Sequence, residues 1–456
     1  MLTTNIPYLH PELMDVVRLF EGADALDIAH EGDLQGAIFR NVFRIGVREY
    51  GYENPDVYFT DTERKSLLKR YAKLGLYRLL SEYFQKELPW GSLTGIRPTR
   101  LAYQELQKSD AFEPLFRELG VSEENISLVA RVLAGQQGIY ERKAGNCDLF
   151  ISLPFCPTKC VYCSFITAPI SETHKYMPAY LEALERELEG GMSGIGTLRS
   201  VYIGGGTPFA LEPEELECVL KAVARVRTNG CEYTVEAGRP DVFTEEKLEL
   251  LRKYGVTRIC INAQSFSDRT LEAIGRKHTA ADVIKAFEMA RPYGFDINCD
   301  LIAGLTGETL GEFKGSVDTA ISLSPENITV HTLCLKKGAK LKEETEALAE
   351  GNLAEMIAYS REKLTAAGYE PYYLYRQKYM AGAHENVGWT KPGKACVYNV
   401  DVMEETADNL AVGANAISKK VILSEGRIER LGSPKDIPTY LEKVEKLIDD
   451  KKKLFG

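Results

Sequence analysis

No apolar run in this chain of 456 residues approaches the ~20 residues of a membrane-spanning helix. Nor do Met1 to His10 show the basic and apolar stretches of a secretory signal. The expected address is therefore cytoplasmic, with no membrane span. Basic charge is not in excess: 56 Lys and Arg stand against 66 Asp and Glu, a net charge of −10. That balance gives no footing for nucleic acid or an anionic membrane as a partner. An anionic small molecule would need a local cluster of cations. Internal repeats and low-complexity tracts are absent. So is a Gly-rich dinucleotide fingerprint after the first strand of the region that alternates strand and helix, which disfavours a doubly wound sheet. Cysteine is sparse: ten in this length, outside any small disulfide scaffold, fit a reducing compartment. Cys218, Cys231, Cys260, Cys299 and Cys334 fall in helix- or strand-like segments and read as small buried apolar residues. Cys147 and Cys396 have no evident role.

What is present is 44% hydrophobic and 27% charged, enough apolar residues for a sizeable core. The length suggests two or three domains at ~150 residues each. Residues 1–145 read as a separate α+β region. Leu26-Asp-Ile and Ala37 to Ile45 look like short strands, with turns at Gly22, Gly32 and Gly51. From Asp61 to Glu87 the residues Leu67, Leu68, Tyr71, Leu74 and Leu79 recur at helical spacing. Arg64, Lys65, Lys69, Arg70 and Lys73 face elsewhere and read as a solvated face. Pro89 and Gly91 end this helix, another starts beyond Pro98, and Ser122 caps a third over Glu123–Gly135.

From Leu149 strand and helix alternate. Strands are expected over Leu149–Phe155, Ser200–Gly204, Glu232–Ala237, Arg258–Ala263, Asp296–Ala303 and Asn327–Leu333. A helix follows each, the last over Glu343–Ala367. Six such units with near-continuous apolar strands require a parallel sheet covered by helices. An incomplete (β/α)6 barrel over residues 146–368 fits best. Residues 369–456 change character and form a small α+β region, expected on the barrel rim. It holds a strand at Tyr372–Tyr379, a polar loop over Gly382–Lys394, a strand pair around Leu410–Ile417 and Val421–Arg430, and an amphipathic helix over Ile437–Lys453.

Cys156, Cys160 and Cys163 follow the first barrel strand in a Cys-x3-Cys-x2-Cys array. Three closely spaced thiolates can wrap one face of an iron–sulfur cube and leave one iron open. Zinc is the plainer alternative, but zinc sites join such an array to a further Cys or His pair, and none follows. Chemistry in parallel βα barrels sits at the carboxyl ends of strands. The other suggestive residues fall there too: Gly204-Gly205-Gly206-Thr207-Pro208 after the second strand, Glu236 ending the third, Gln264 the fourth, and Asp300 near the end of the fifth. Each alone has a structural explanation as turn glycine, capping carboxylate or satisfied amide. Placed together on successive strands they point to one site.

With Tyr162 before the third Cys, this array resembles the radical S-adenosylmethionine (SAM) superfamily. Ile203-Gly-Gly-Gly-Thr-Pro, Thr234-Val-Glu-Ala, Asn262-Ala-Gln-Ser-Phe, Gly275-Arg276-Lys-His278 and Cys299-Asp-Leu-Ile-Ala-Gly-Leu resemble one of its branches. It is the oxygen-independent coproporphyrinogen III oxidase branch, the HemN/HemW/HemZ group. Ala411-Val-Gly-Ala-Asn-Ala-Ile-Ser extends the likeness more loosely. Thr94-Gly-Ile-Arg-Pro-Thr-Arg, Pro371-Tyr-Tyr-Leu-Tyr-Arg-Gln-Lys and Glu385-Asn-Val-Gly resemble the HemZ type in particular.

The resemblance implies a partial radical SAM barrel in which Cys156, Cys160 and Cys163 ligate a [4Fe–4S] cluster. Gly205, Gly206, Thr207 and Glu236 would line the SAM that is cleaved, with Phe150 and Tyr162 beside it. Gln264, Arg276, Asp300 and Ile417 match positions around two SAM molecules. The implied reaction is oxidative decarboxylation of two propionates of coproporphyrinogen III to vinyl groups by a 5′-deoxyadenosyl radical. A one-electron donor such as flavodoxin or ferredoxin would reduce the cluster. The substrate's carboxylates need cations, for which Arg376, Lys378, Lys391 and Lys394, and Lys336, Lys337 and Lys340, are candidates.

Several positions depart from the oxidase pattern. Phe165 stands where the oxidases carry a further Cys, as in the related haem chaperones. Phe150 replaces a tyrosine and loses its hydroxyl, and Thr306 replaces a proline. His384 and Trp389 have the spacing of the chaperones' haem-binding motif, with different residues between. The resemblance therefore also admits a haem-binding or haem-delivery protein, or a radical SAM enzyme acting on another tetrapyrrole.

Overall fold

The computed structural model describes residues 1–35, 38–55, 61–95, 97–165, 167–334, 352–377 and 384–456. They divide into two units: Met1–Arg131 with Tyr375–Glu385, and Val132–Leu374 with Asn386–Gly456. No helix among the described residues is long and apolar enough to cross a membrane.

In the first unit β1 (Leu2–Thr4), β2 (Ile28–Gln35), β3 (Ile38–Ile45) and β4 (Arg48–Pro55) form a sheet in chain order. Phe39, Phe43 and Ile45 of β3 alternate inward. They meet Leu13, Val16 and Val17 of the helix His10–Val17, and Leu68, Ala72, Leu76 and Leu80 of the helix Asp61–Phe84. The expected turns at Gly32 and Gly51 are strand interior instead, opposite Asn41 and Val42. A Cβ on Gly32 would lie 2.5 Å from Ile6 Cδ1, so this glycine makes room for a packed side chain. The reversal between β3 and β4 uses Gly46, at φ +57°. Two segments of the HemZ-type likeness reach Trp90 and Leu93 in this unit. Arg376 lies over the Trp90 ring at 5.2 Å and donates to Leu93 O, and Trp90 Nε1 donates to Glu385 Oε2 at 2.7 Å.

The second unit contributes β5 (Asn146–Leu153), β6 (Phe155–Cys156), β7 (Ala168–Pro169), β8 (Thr197–Gly205), β9 (Glu232–Gly238), β10 (Arg258–Gln264), β11 (Asp296–Ala303), β12 (Asn327–Thr332), β13 (Glu370–Tyr375), β14 (Asn386–Thr390), β15 (Asp408–Val412), β16 (Ile417–Ile422) and β17 (Arg427–Gly432). One sheet runs β13-β14-β12-β11-β10-β9-β8-β5-β15-β16-β17, and β15 through β12 are mutually parallel. Its edges do not join, so the barrel is partial. Helices Met177–Gly191, Pro213–Val226, Glu245–Lys253, Ala280–Ala290 and Leu310–Leu323 connect the parallel strands. Three of their starts are capped by threonines: Thr244 Oγ1 accepts the Lys247 N–H, and Thr279 and Thr309 form capping boxes with Asp282 and Glu312.

Register shows how the strands are used. Phe150 pairs with Tyr202, Tyr202 with Thr234, Thr234 with Arg258, Cys260 with Asn298, and Asp300 with Thr329. In-register neighbours share a face, and residues two apart share it too. The inward face therefore carries Asp148, Phe150 and Ser152, then Tyr202, Glu236, Cys260, Asp300 and His331. The outward face, with Leu149, Ile151, Val201, Ile203, Val235, Ile259 and Ile261, is fully buried. The strands thus alternate, where near-continuous apolar runs were expected: one face meets helices and the other lines a polar lumen.

Residues after 368 join this same sheet. The expected polar loop over Gly382–Lys394 contains β14, which is buried and antiparallel to β12. Its polar content hid it. Asn386 Oδ1 accepts the Thr332 N–H, Trp389 is 1% exposed, and a Cβ on Gly388 would fall inside the Tyr373 ring. The expected strand pair is three strands, β15 beside β5 and the hairpin β16–β17. An unforeseen helix, Val397–Glu404, precedes β15 and puts Tyr398 against Tyr202 in the lumen, ring centres 4.5 Å apart. The expected Glu343–Ala367 helix is seen as Leu353–Ala366, with 343–351 outside the described residues.

Candidate functional site

The three cysteines lie on a loop closed at its base. β6 pairs with β7, and the Ala168 N–H reaches Pro154 O at 3.0 Å. Within it the Cys163 N–H donates to Cys160 O, and the Val161 N–H to Ile274 O. Val161 and Tyr162 pack on Leu271, Ile274, Ile302, Leu305 and Leu333. Cys160 is buried, Cys156 and Cys163 are partly exposed, and all three are free thiols. Burial raises the Cys156 thiol pKa and pushes Cys163 up to about 11, so a bound cation is needed to hold them as thiolates at neutral pH.

The glycine run after β8 grips this loop. Thr207 N–H donates to Phe155 O at 2.7 Å, Gly206 N–H to Leu153 O at 2.8 Å, and Thr207 Oγ1 to Cys156 Sγ at 3.7 Å. A Cβ on Gly206 would lie 2.4 Å from Phe155 O, and Gly205 sits at φ +98°. These glycines therefore let the second strand end lie directly against the Cys-bearing segment.

Glu236 lines the lumen below. Tyr202 Oη donates to its Oε1 at 2.6 Å, and burial, first of all, pushes its pKa up to about 7. The Asp300 charge adds to that shift and Tyr202 opposes it. Asp300 Oδ2 has His331 Nε2 3.9 Å away. Phe150 lies deeper, its ring 6.2 Å from both Tyr202 and Tyr398, so it belongs to an aromatic floor. Gln264 ends β10 in the left-handed region, at φ +67°, with Oε1 buried and without a partner. Such a conformation costs a non-glycine residue about 1–2 kcal/mol. The turn beyond it is pinned: Ser265 Oγ donates to Glu308 Oε1 at 2.6 Å, and the Phe266 N–H to Ser316 Oγ at 2.8 Å. Burial pushes Glu308 up to about 7 as well. Arg276 is buried, donates to Asn262 O and to Tyr162 Oη at 3.0 Å, and directs its charge at Tyr162 and Cys160.

Cys156, Cys160, Cys163, Gly205, Gly206, Thr207, Tyr162 and Arg276 thus form one connected rim, with Glu236, Gln264 and Asp300 on the same carboxyl end. Ile417 stands apart. It opens β16, two strands from β5, and is half exposed. Of the described candidate cations in this unit, Lys391 and Lys394 are not at this end. Lys394 pairs with Asp296 at 2.7 Å and Lys391 with Glu326 at 3.8 Å, both at amino ends of strands, and Arg376 is buried against Trp90 in the first unit. Lys336, Lys337, Lys340 and Lys378 lie outside the described residues. Trp389, five residues after His384, is a core residue of β14. Sequence reading missed Tyr202, Arg239, His331 and Glu308. The period-two polar pattern along the strands could have found Tyr202 and His331.

Among the described residues no three His, Cys, Asp or Glu side chains converge on a single metal ion. A donor set of three thiols on one short loop suits a multi-iron cluster instead. The orphaned Gln264 Oε1 and the buried Arg276, whose nearest ionisable neighbours are Tyr162 and Cys160, fit a ligand with N–H donors and anionic groups.

Comparison with known proteins agrees. Residues 150–320 match the radical SAM superfamily. The oxygen-independent coproporphyrinogen-III oxidase-like protein HemZ of Bacillus subtilis (strain 168) is 36% identical over 425 residues, 87% of this chain and 83% of the relative. The chain belongs to the radical SAM superfamily, in its HemN/HemW/HemZ group. The haem chaperone HemW of the same organism is 38% identical over 198 residues, 41% of this chain and 50% of the relative. The solved structure of Escherichia coli coproporphyrinogen III oxidase (HemN), a radical SAM enzyme, superposes with a TM-score of 0.54 at 20% identity, covering 69% of this chain and 72% of that one, and so shares the fold. Members of the superfamily use a [4Fe–4S] cluster and SAM.

Proposed function

We propose that this chain is a radical SAM oxidoreductase of coproporphyrinogen type, which removes propionate carboxylates from a tetrapyrrole to leave vinyl groups. The observation that carries this reading is the joined rim. The Cys156–Cys163 loop is locked to Gly206 and Thr207, above a half-buried Glu236 and an unpartnered Gln264 Oε1. Cys156, Cys160 and Cys163 would hold the cluster, and Gly205, Gly206, Thr207, Glu236, Gln264 and Arg276 would hold SAM. When bound, these groups supply one-electron cleavage of SAM and hence hydrogen abstraction from an unactivated carbon.

The protein's own part is positioning and exclusion of water. Near neutral pH Glu236 is partly protonated, so it can donate or accept toward a hydroxyl while Tyr202 holds it. Phe150, Tyr202 and Tyr398 close the lumen beneath. Asp300 and His331 offer a further polar pair beside Glu236. Turning one propionate into a vinyl group removes one hydrogen atom, one carbon dioxide and one electron. An external acceptor must take that electron, and a donor such as flavodoxin or ferredoxin must reduce the cluster. A cytoplasmic setting suits both.

The test supplies anaerobically reconstituted protein with SAM, a low-potential reductant and coproporphyrinogen III. Vinyl product is expected. Formation of 5′-deoxyadenosine without vinyl product would keep the SAM chemistry and discard this substrate, leaving another tetrapyrrole. The second reading, a haem-binding or haem-delivery protein, is favoured by Phe165, which is 66% exposed where the oxidases carry a cysteine. Stoichiometric haem binding lost in His384→Ala would establish it.

A further inference from the structure

Arg239 and Asp241, outside the motifs, reach the cysteine loop. Arg239 follows β9, is 3% exposed, and donates through Nε and Nη2 to Asp241 at 2.9 and 2.6 Å. Its Nη1 donates to Thr158 Oγ1, between Cys156 and Cys160. A guanidinium held by two parallel bonds to a carboxylate has a fixed plane, so its remaining N–H defines where its acceptor sits. Asp241 is itself backed by His278, whose Nδ1 lies 3.7 Å from Oδ1 and whose side chain is wholly buried. Burial lowers the His278 pKa, so this ring is neutral beside two arginines. Arg276 acts on the far side of Cys160 through Tyr162. The loop therefore receives guanidinium N–H groups on both sides of its middle cysteine. Arg239 also sends its charge toward Cys156.

We propose that Arg239, oriented by Asp241, is a positioning residue for the cysteine loop: through Thr158 it fixes the Cys156–Cys160 segment, and its charge keeps the cluster reducible. This rests on Cys156, Cys160 and Cys163 being cluster ligands. Partners that orient ligands and add charge near them govern both metal affinity and potential. A cation beside a cluster that gains an electron favours the reduced form.

The experiment uses the full chain and four variants: Thr158→Val, Arg239→Met, Arg239→Lys, and Arg225→Met as an exposed control. Hydrogen exchange of the 156–163 peptide is followed in the metal-free protein. The cluster's midpoint potential is followed by electron paramagnetic resonance in the reconstituted protein, without any tetrapyrrole. Exchange should quicken about tenfold in Thr158→Val, Arg239→Met and Arg239→Lys, an opening equilibrium shifted by about 1.4 kcal/mol. The potential should fall in Arg239→Met by about 59 mV, a tenfold loss in the one-electron reduction equilibrium. Arg239→Lys keeps the charge and should hold the potential near the parent's, which separates charge from geometry. Exchange and potential equal to the parent's in both Thr158→Val and Arg239→Met would overturn the proposal. Should Arg239→Met fail to fold, Thr158→Val, which removes one hydroxyl, decides it. If the parent takes up no four-iron cluster, the reading of the site fails, while the metal-free exchange still decides the clamp.

Discussion

At the amino end of the barrel lumen, Arg258 lies 3.4 Å from Glu232 and 3.5 Å from Asp296, and donates to Asn298, Asn327 and Lys394 O. Beside it Arg199 bridges Asp401 and Glu141, and Ser200 donates to Asp148. At the carboxyl end Arg276 is also buried, yet its partners are a carbonyl and a tyrosine hydroxyl. Asn262 Oδ1, Gln264 Oε1, Thr306 Oγ1 and Glu308 Oε2 are buried there without partners. Orphans also occur below, at Thr234 Oγ1, Asn327 Nδ2 and Arg258 Nε, but both arginines there lie against carboxylates. Each unsatisfied polar atom costs roughly 1–3 kcal/mol. Both floor arginines thus lie against carboxylates, whereas at the rim Arg239 is paired with Asp241 and Arg276 has no carboxylate partner among the described residues. The contrast therefore lies in the arginines' partners and in the cluster of four orphaned atoms at the rim, where a ligand is expected.

The contrast can be tested from both sides. Cys156→Ala, at the rim, should abolish the cluster's visible absorbance and all SAM cleavage while leaving the unfolding midpoint of the metal-free protein within about 1 kcal/mol of the parent. At the floor Arg258→Met should do the reverse. Leaving Glu232 and Asp296 without their cation should cost about 3–5 kcal/mol, read by denaturant unfolding, with SAM affinity kept in the folded fraction.

Glu236 is the intermediate case. Its carboxyl is raised from 4.5 to about 7, so the folded protein holds its proton more tightly than the unfolded chain. Stability from this group is full below about pH 4.5 and is lost as pH rises toward 7. Glu236→Gln should flatten that slope and, having no ionised form, remove the corresponding limb near neutrality from the pH profile of SAM cleavage. The smallest effect is expected at Gln264. Gln264→Gly should relieve the left-handed backbone and stabilise the fold by about 1 kcal/mol, while weakening SAM binding about tenfold. A rim residue that gains stability when replaced and loses binding would separate the two ends most cleanly.

Much of the second unit was legible beforehand because its signals are local. Thr244 caps a helix by bonding Lys247, three residues further on, and Cys156–Cys163 is a cluster-like array within eight positions. β14 was not legible: Asn386 and Gly388 look like loop residues until Thr332 and Tyr373 are placed beside them. The same holds for Arg239, whose partner Thr158 is 81 positions away, and for the floor, where Tyr398 arrives from a helix far along the chain.

The amino-acid sequence by itself determined the strand–helix alternation, the cysteine array and the placing of glycine, Glu236 and Gln264 at strand ends, since periodicity and spacing are properties of neighbours. Tertiary structure alone decided which face of each strand becomes the lumen and that residues after 368 complete the sheet. It also decided which arginines meet carboxylates and which face the cysteines, Arg239 doing both. Those outcomes depend on groups brought together from distant positions, where burial makes each polar atom either paired or open to a ligand.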